Sequence, residues 1–114
     1  MDKNFNDLKV WQRSRSLVKE VYLVCRKLLK TEDFALSSQM KRSSVSIPSN
    51  IAEGYRRRND KEFKHFLRIA SGSAAELETQ LIMVEDIYKI GIAAIIEELE
   101  IIQKMLTKLS KSLA

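Results

Sequence analysis

The sequence predicts an all-α fold, an up-down-up-down antiparallel four-helix bundle. Three observations predict it. Apolar residues recur at steps of three and four along nearly the whole chain, 114 residues contain only three glycines and one proline, and the breaks between periodic segments are a few residues long. A chain of this length fills one domain, so residues 1–114 are read as a single bundle with helices over residues 7–30, 34–57, 60–89 and 92–112. A composition of 45% apolar and 31% charged residues fits a helical globular protein and leaves strand signals almost absent.

Helix one takes its stripe from Leu8, Trp11, Val18, Val21, Tyr22, Cys25, Leu28 and Leu29, with Arg and Lys between them. Cys25 is the single cysteine, so no internal disulfide forms, and its stripe position makes it a core thiol. Thr31 is the expected N-cap of helix two, whose stripe is Phe34, Leu36, Met40, Ile47, Ile51 and Tyr55. Pro48 falls inside that stripe, where it removes the bond to the Ser44 carbonyl at a cost of about 3 kcal/mol if nothing compensates. One helix kinked at Pro48 is the preferred reading, with the hydroxyls of Ser43, Ser44 and Ser46 bonding freed or neighbouring carbonyls. Two short helices, the second opening at Pro48, are the alternative.

Asn59 followed by Glu62 has the form of a capping box and opens helix three. Its seam is Phe63, Phe66, Leu67, Ala70, Ala74, Leu77, Leu81, Val84 and Tyr88, a near-heptad repeat that Gly91 is expected to stop as a left-handed cap. Helix four carries Ile95, Leu99, Ile102, Leu106, Leu109 and Leu113 at the same spacing.

Two features depart from a plain bundle. Residues 71–75, SGSAA, and 43–46, SSVS, put small side chains in the middle of helices three and two. Small residues let two backbones approach, and hydroxyls left at such a contact need partners, of which Asn50, Glu53 and Glu76 are candidates. Ser46, Pro48, Asn50, Glu53, Gly54, Ser73 and Glu76 are accordingly assigned to packing, with a small-molecule pocket as the functional alternative. The second feature is surplus apolar surface. Val10, Leu17 and Val24 lie beside the stripe of helix one, and Ile92, Ala93, Ala94, Ile96, Ile101 and Met105 beside that of helix four. A second apolar face usually meets a partner, and self-association is the economical expectation.

The topology also locates the net charge of +5. Residues 1–17, 48–70 and 103–114 belong to one end of the bundle and hold thirteen Lys or Arg against five Asp or Glu, while the other half holds seven against ten. A balance of +8 against −3 gathers Arg13, Arg15, Arg56, Arg57, Arg58, Lys61, Lys64 and Arg68 at one end, a field suited to a polyanion. Nucleic-acid binding through phosphates is the expected use, with strong salt dependence and little sequence preference.

An enzyme is not expected. His65, the single histidine, lies among Lys61, Lys64 and Arg68 and extends the basic surface. Glu76 with Glu78, Glu85 with Asp86, and Glu97 with Glu98 lack a histidine at ligand spacing, so no metal site is read and no cofactor is expected. Scattered glycines form no phosphate-cradling loop, and no serine has an available base. The opening MDKNFNDLKV lacks the apolar run of a secretory signal, and no stretch reaches the ~20 apolar residues of a membrane span, so a cytoplasmic protein without membrane attachment is expected.

FNDLKVWQRSRSLV at residues 5–18, LSSQMKRSSVSIPSNIAEGYRR at 36–57 and EFKHFLRIASGSAAELETQL at 62–81 closely resemble the bacterial four-helix bundle proteins encoded in 23S rRNA intervening sequences. SIPSNIAEG and GSAAELE are the specific parts of the likeness, and the last helix is generic. A related branch comprises the accessory variability proteins of diversity-generating retroelements. The resemblance implies a homopentameric barrel with a central channel and, in the retroelement branch, a basic surface that binds nucleic acid and a reverse transcriptase. The leading expectation is an oligomeric, non-enzymatic nucleic-acid-binding protein that favours structured RNA. A scaffold docking a protein partner such as a reverse transcriptase is the alternative.

Overall fold

The computed structural model describes residues 4–114. Four helices, α1 (Lys9–Cys25), α2 (Leu36–Arg56), α3 (Asp60–Tyr88) and α4 (Ala93–Ser112), pack around one core, and two short 3-10 turns occupy Phe5–Asp7 and Lys30–Phe34. The α3 helix has 29 residues and at about 1.5 Å per residue spans the full 44 Å of the molecule. The alternation of direction is visible at the two ends. Arg56 at the close of α2 lies over Phe5, and the Ala114 amide donates to the Asp60 carboxylate at the start of α3, both at one end. At the other, the Tyr88 hydroxyl donates to Glu32 over 2.5 Å and joins the two remaining connections.

The α2–α3 pair makes the most extensive contact in the bundle, and the small residues explain it. Gly54 sits against α3 so closely that an added Cβ would lie 2.7 Å from the Phe66 Cβ and 2.9 Å from the Phe63 ring. The contact is also polar. Ser46 and Ser73 share a hydrogen bond of 2.8 Å, and the Asn50 amide donates to both the Ser46 hydroxyl and its carbonyl. The Ser43 hydroxyl donates to Gln80 Oε1 at 2.8 Å, which satisfies a glutamine almost wholly inside the core. On another face of α3, a reciprocal pair clamps it to α4, in which Ser71 Oγ donates to Gln103 Oε1 and Gln103 Nε2 donates to the Ser71 carbonyl.

The α2 helix is continuous through Pro48, so the two-helix alternative does not apply. Ser43 and Ser44 bond the carbonyls of Met40 and Lys41, three residues back, rather than that of Ser44.

Several boundaries differ from expectation. The α1 helix ends at Cys25 rather than residue 30, because Lys27 and Leu28 bond the carbonyls three residues back and tighten the chain, which buries Leu28. Thr31 is not an N-cap. It lies within the Lys30–Phe34 turn, α2 starts after Ala35 without a side-chain cap, and Phe34 is 96% exposed instead of lining the core. Gly91 is not a left-handed cap either, since Lys89 closes α3 with φ 59° and no glycine has positive φ. At Asn59 half of the expected box is realised. Its Oδ1 accepts from the Glu62 amide, while the Glu62 carboxylate faces Arg57 at 3.9 Å.

The face of α1 is also rotated. Val10, Ser14, Leu17, Val21, Val24 and Cys25 are buried, whereas Tyr22 and Leu29 are exposed. The signal that misled is Ser14, a polar residue at a core position, tolerated because its hydroxyl donates to the Trp11 carbonyl at 2.9 Å. The apolar residues set aside as surplus, Val10, Leu17, Val24 and Ile92, are therefore core, and Ile96 and Met105 pack against it. Among the exposed large apolar residues, Ile69, Ile82, Met83 and Ile87 lie on α3, Tyr22 and Leu23 on α1, Val45 on α2, and Leu29 and Phe34 between α1 and α2. No described helix is long and apolar enough to cross a membrane.

Candidate nucleic-acid interface

The basic end is built where α2 hands the chain to α3. The α2 helix delivers Arg56, Arg57 caps it, and Arg58 turns the chain with φ 55°, a left-handed conformation that usually selects glycine. The first turns of α3 then present Lys61, Lys64, His65 and Arg68. All are exposed except Lys64, which is half-buried.

Each arginine of the turn lies over an aromatic ring. Arg56 Cζ is 5.2 Å from the Phe5 ring centre, Arg57 is 5.1 Å from Phe66, and Arg58 is 5.2 Å from Tyr55. Arg15 lies 5.6 Å from Trp11, and Trp11 meets Phe5 edge to face at 5.2 Å. A continuous run Arg15–Trp11–Phe5–Arg56 thus joins α1 to the end of α2. The rings are themselves held, Tyr55 against buried Phe63 at 6.0 Å and Phe66 against His65 at 5.4 Å. Sequence reasoning found the cations and missed this aromatic support. Its signal is the recurrence of Phe5, Trp11, Tyr55 and Phe66 near the basic residues.

Two grooves flank Arg57. One of about 410 Å³ is lined by Phe5, Ala52, Glu53, Arg56 and Arg57, and one of about 570 Å³ by Arg57, Asn59, Lys61, Glu62, His65, Phe66 and Arg68. Acidic residues here are engaged. Glu53 pairs with Arg57 at 2.8 Å, Glu62 faces the same guanidinium, and Asp60 holds the Ala114 amide. Among the described residues Arg15, Arg56, Arg58, Lys61, Lys64 and Arg68 have no acidic partner within ion-pair distance.

Arg13 is the site residue that does not join them. It makes a two-pronged bond to Glu98 of α4, both arms 2.8 Å, inside a separate groove between α1 and α4. That carboxylate raises the Arg13 pKa, chiefly through the hydrogen bond. Of the residues assigned to packing, Ser46, Asn50, Ser73 and Gly54 lie at the α2–α3 contact, with Pro48 inside α2. Glu53 serves Arg57 instead, and exposed Glu76 lines a polar groove with Gln39, Arg42, Ser43, Ser46 and Ser73. Burial pushes the Cys25 thiol up, the direction of a core cysteine. Among the described residues no group of three His, Cys, Asp or Glu side chains converges as a metal site would require.

The model of the 23S rRNA-intervening sequence protein family matches residues 6–108. Among solved structures, a protein described as of unknown function from the S23 ribosomal protein family of Bacteroides thetaiotaomicron superposes with a TM-score of 0.81. It is 25% identical, and the match covers 90% of this chain and 98% of that one. No curated protein matches the chain.

Proposed function

The chain belongs to the 23S rRNA-intervening sequence protein family, and from that premise we propose that it is a cytoplasmic, non-enzymatic protein that binds nucleic acid through the basic end of its bundle. The observation that carries the reading is the set of six basic residues from α1, the α2–α3 turn and α3 that have no acidic partner among the described residues, beside two open grooves. Cations from separate elements add their fields where a single run would only be solvated. The family's name records an insert in 23S rRNA as the place of such genes, and structured RNA is the polyanion proposed for the first test. Arg56, Arg58, Lys61, Lys64 and Arg68 are the main contacts, Arg15 supports them, and Arg57 braces the turn. Arg13, held by Glu98, contributes least.

The protein acts as an oligomer in this reading, a pentamer by the family resemblance. Ile69, Ile82, Met83 and Ile87, exposed on α3, support self-association. Repetition of the basic end around a ring supplies avidity to weak individual contacts.

The test is binding of a labelled RNA hairpin by wild type and by the combined Arg56→Gln, Arg57→Gln and Arg58→Gln variant, with helicity and light scattering recorded for both. Affinity should drop in the variant at unchanged helicity and mass. In wild type it should decline with salt, by a logarithmic slope of about 0.7–0.9 per phosphate contacted. Equal affinity of the two proteins, or binding indifferent to salt, rejects the reading, and a monomer at micromolar concentration rejects the assembly.

A further inference from the structure

The rings beneath the arginines call for an explanation that phosphate binding does not provide. Arginine binds phosphate through its guanidinium fork without help from a ring, whereas stacking on an aromatic face is a separate property of the same group. Four arginine–ring contacts of 5.1–5.6 Å gather here at one end of the chain, together with the edge-to-face pair of Trp11 and Phe5. Trp11, Phe5, Tyr55 and Phe66 are half-buried, so none of the four residues is sealed in the core.

Resting on the nucleic-acid reading above, we infer that this end recognises unpaired nucleotides of RNA by stacking, with bases seated on the Arg15–Trp11–Phe5–Arg56 run and on the Arg57–Phe66 and Arg58–Tyr55 pairs. Base faces are hidden inside a duplex and open in loops, bulges and single strands, where aromatic rings and guanidinium planes both serve as platforms. The rings fix the long arginine side chains before RNA arrives, so less rotamer freedom is lost on binding. The geometry supplies a path as well. The groove bounded by Phe5 and Arg56 and the groove bounded by Phe66 and Arg68 meet at Arg57. Its charge is already balanced by Glu53, which suits a stacking residue better than a phosphate clamp. Lys61, Lys64 and Arg68 beside this path are left for the phosphates.

Trp11 is the only tryptophan, so its fluorescence reports directly on the run. The experiment titrates the full chain with a single-stranded RNA of roughly 12 nucleotides, within the reach of known single-strand grooves, and with the blunt duplex of the same sequence at the same salt. The single strand should bind about tenfold more tightly than the duplex, the equivalent of one stacked base, and should quench Trp11. Combined Arg15→Lys, Arg56→Lys and Arg58→Lys substitutions keep every charge. They should lower single-strand affinity by more than duplex affinity and so remove the single-strand advantage, with helicity confirming the fold. Equal or tighter duplex binding, absence of quenching, or a lysine variant that keeps the advantage overturns the stacking inference and leaves phosphate binding standing. Failure of both RNAs to bind overturns the two together.

Discussion

Two alanine substitutions at glycine, one in α2 and one in α3, should have opposite signs. At Gly54 the new Cβ would stand 2.7 Å from the Phe66 Cβ, about 0.7 Å inside the 3.4 Å at which ordinary contact begins. The Phe66 Cβ is tied to its backbone, so no rotamer change relieves the overlap. Phe63, 2.9 Å away at its ring edge, is itself buried. The helices must therefore part along their tightest contact, and overpacking of this kind costs about 1–3 kcal/mol. Against this, replacing a helical glycine returns about 0.5–1 kcal/mol. Taking the middle of each range, Gly54→Ala is expected to destabilise by about 1 kcal/mol, and by up to about 2.5 kcal/mol. At Gly72 nothing lies within 4 Å of the added atom, so only the gain applies and Gly72→Ala should stabilise by about 0.5–1 kcal/mol. Urea denaturation followed by helical circular dichroism reads both, and the two midpoints should fall on opposite sides of wild type. A Gly54→Ala protein as stable as wild type would refute the close approach as the reason for glycine at that position.

Arg58 holds a left-handed conformation that glycine adopts freely, so Arg58→Gly should raise stability by about 0.5–1 kcal/mol while weakening RNA binding. A thermal melt beside a binding titration checks it, and loss of stability would show that the side chain's contact with Tyr55 outweighs the backbone strain. The Tyr88 phenol should titrate above an ordinary tyrosine, first because its hydroxyl donates to Glu32. With the folded value raised, the contribution of this bond is fully present below the ordinary phenol pKa and is lost as pH climbs through the raised one. Ultraviolet titration should show Glu32→Gln moving that phenol back toward its ordinary value; no movement would detach the shift from the bond.

Spacing made most of the fold legible. The seam of α3 from Phe63 to Val84 is buried as its near-heptad repeat requires except at half-buried Phe66, and Asn59 caps the helix that its position announces. Where the pattern misled, hydrogen bonds made by buried polar side chains were responsible. Ser14 sits in the core because its hydroxyl is satisfied one turn back, which rotates the face of α1. Gln80 is buried because Ser43 on another helix meets it, a pairing no local pattern encodes. Lys89 and Arg58 take left-handed conformations where glycine was the expected signal or no signal existed.

The candidate site divides in the same way. Periodicity and charge are properties of residues in line, so they sufficed to place the four helices, their order, the family and the end expected to collect positive charge. Which of those charges are available depends on packing between helices. The tertiary structure ties Arg13 to Glu98, 85 positions away, balances Arg57 with Glu53, and lays Arg15 and Arg56 over Trp11 and Phe5. Ion pairing and ring contact depend on a few ångströms across helices, a distance that separation along the chain does not carry.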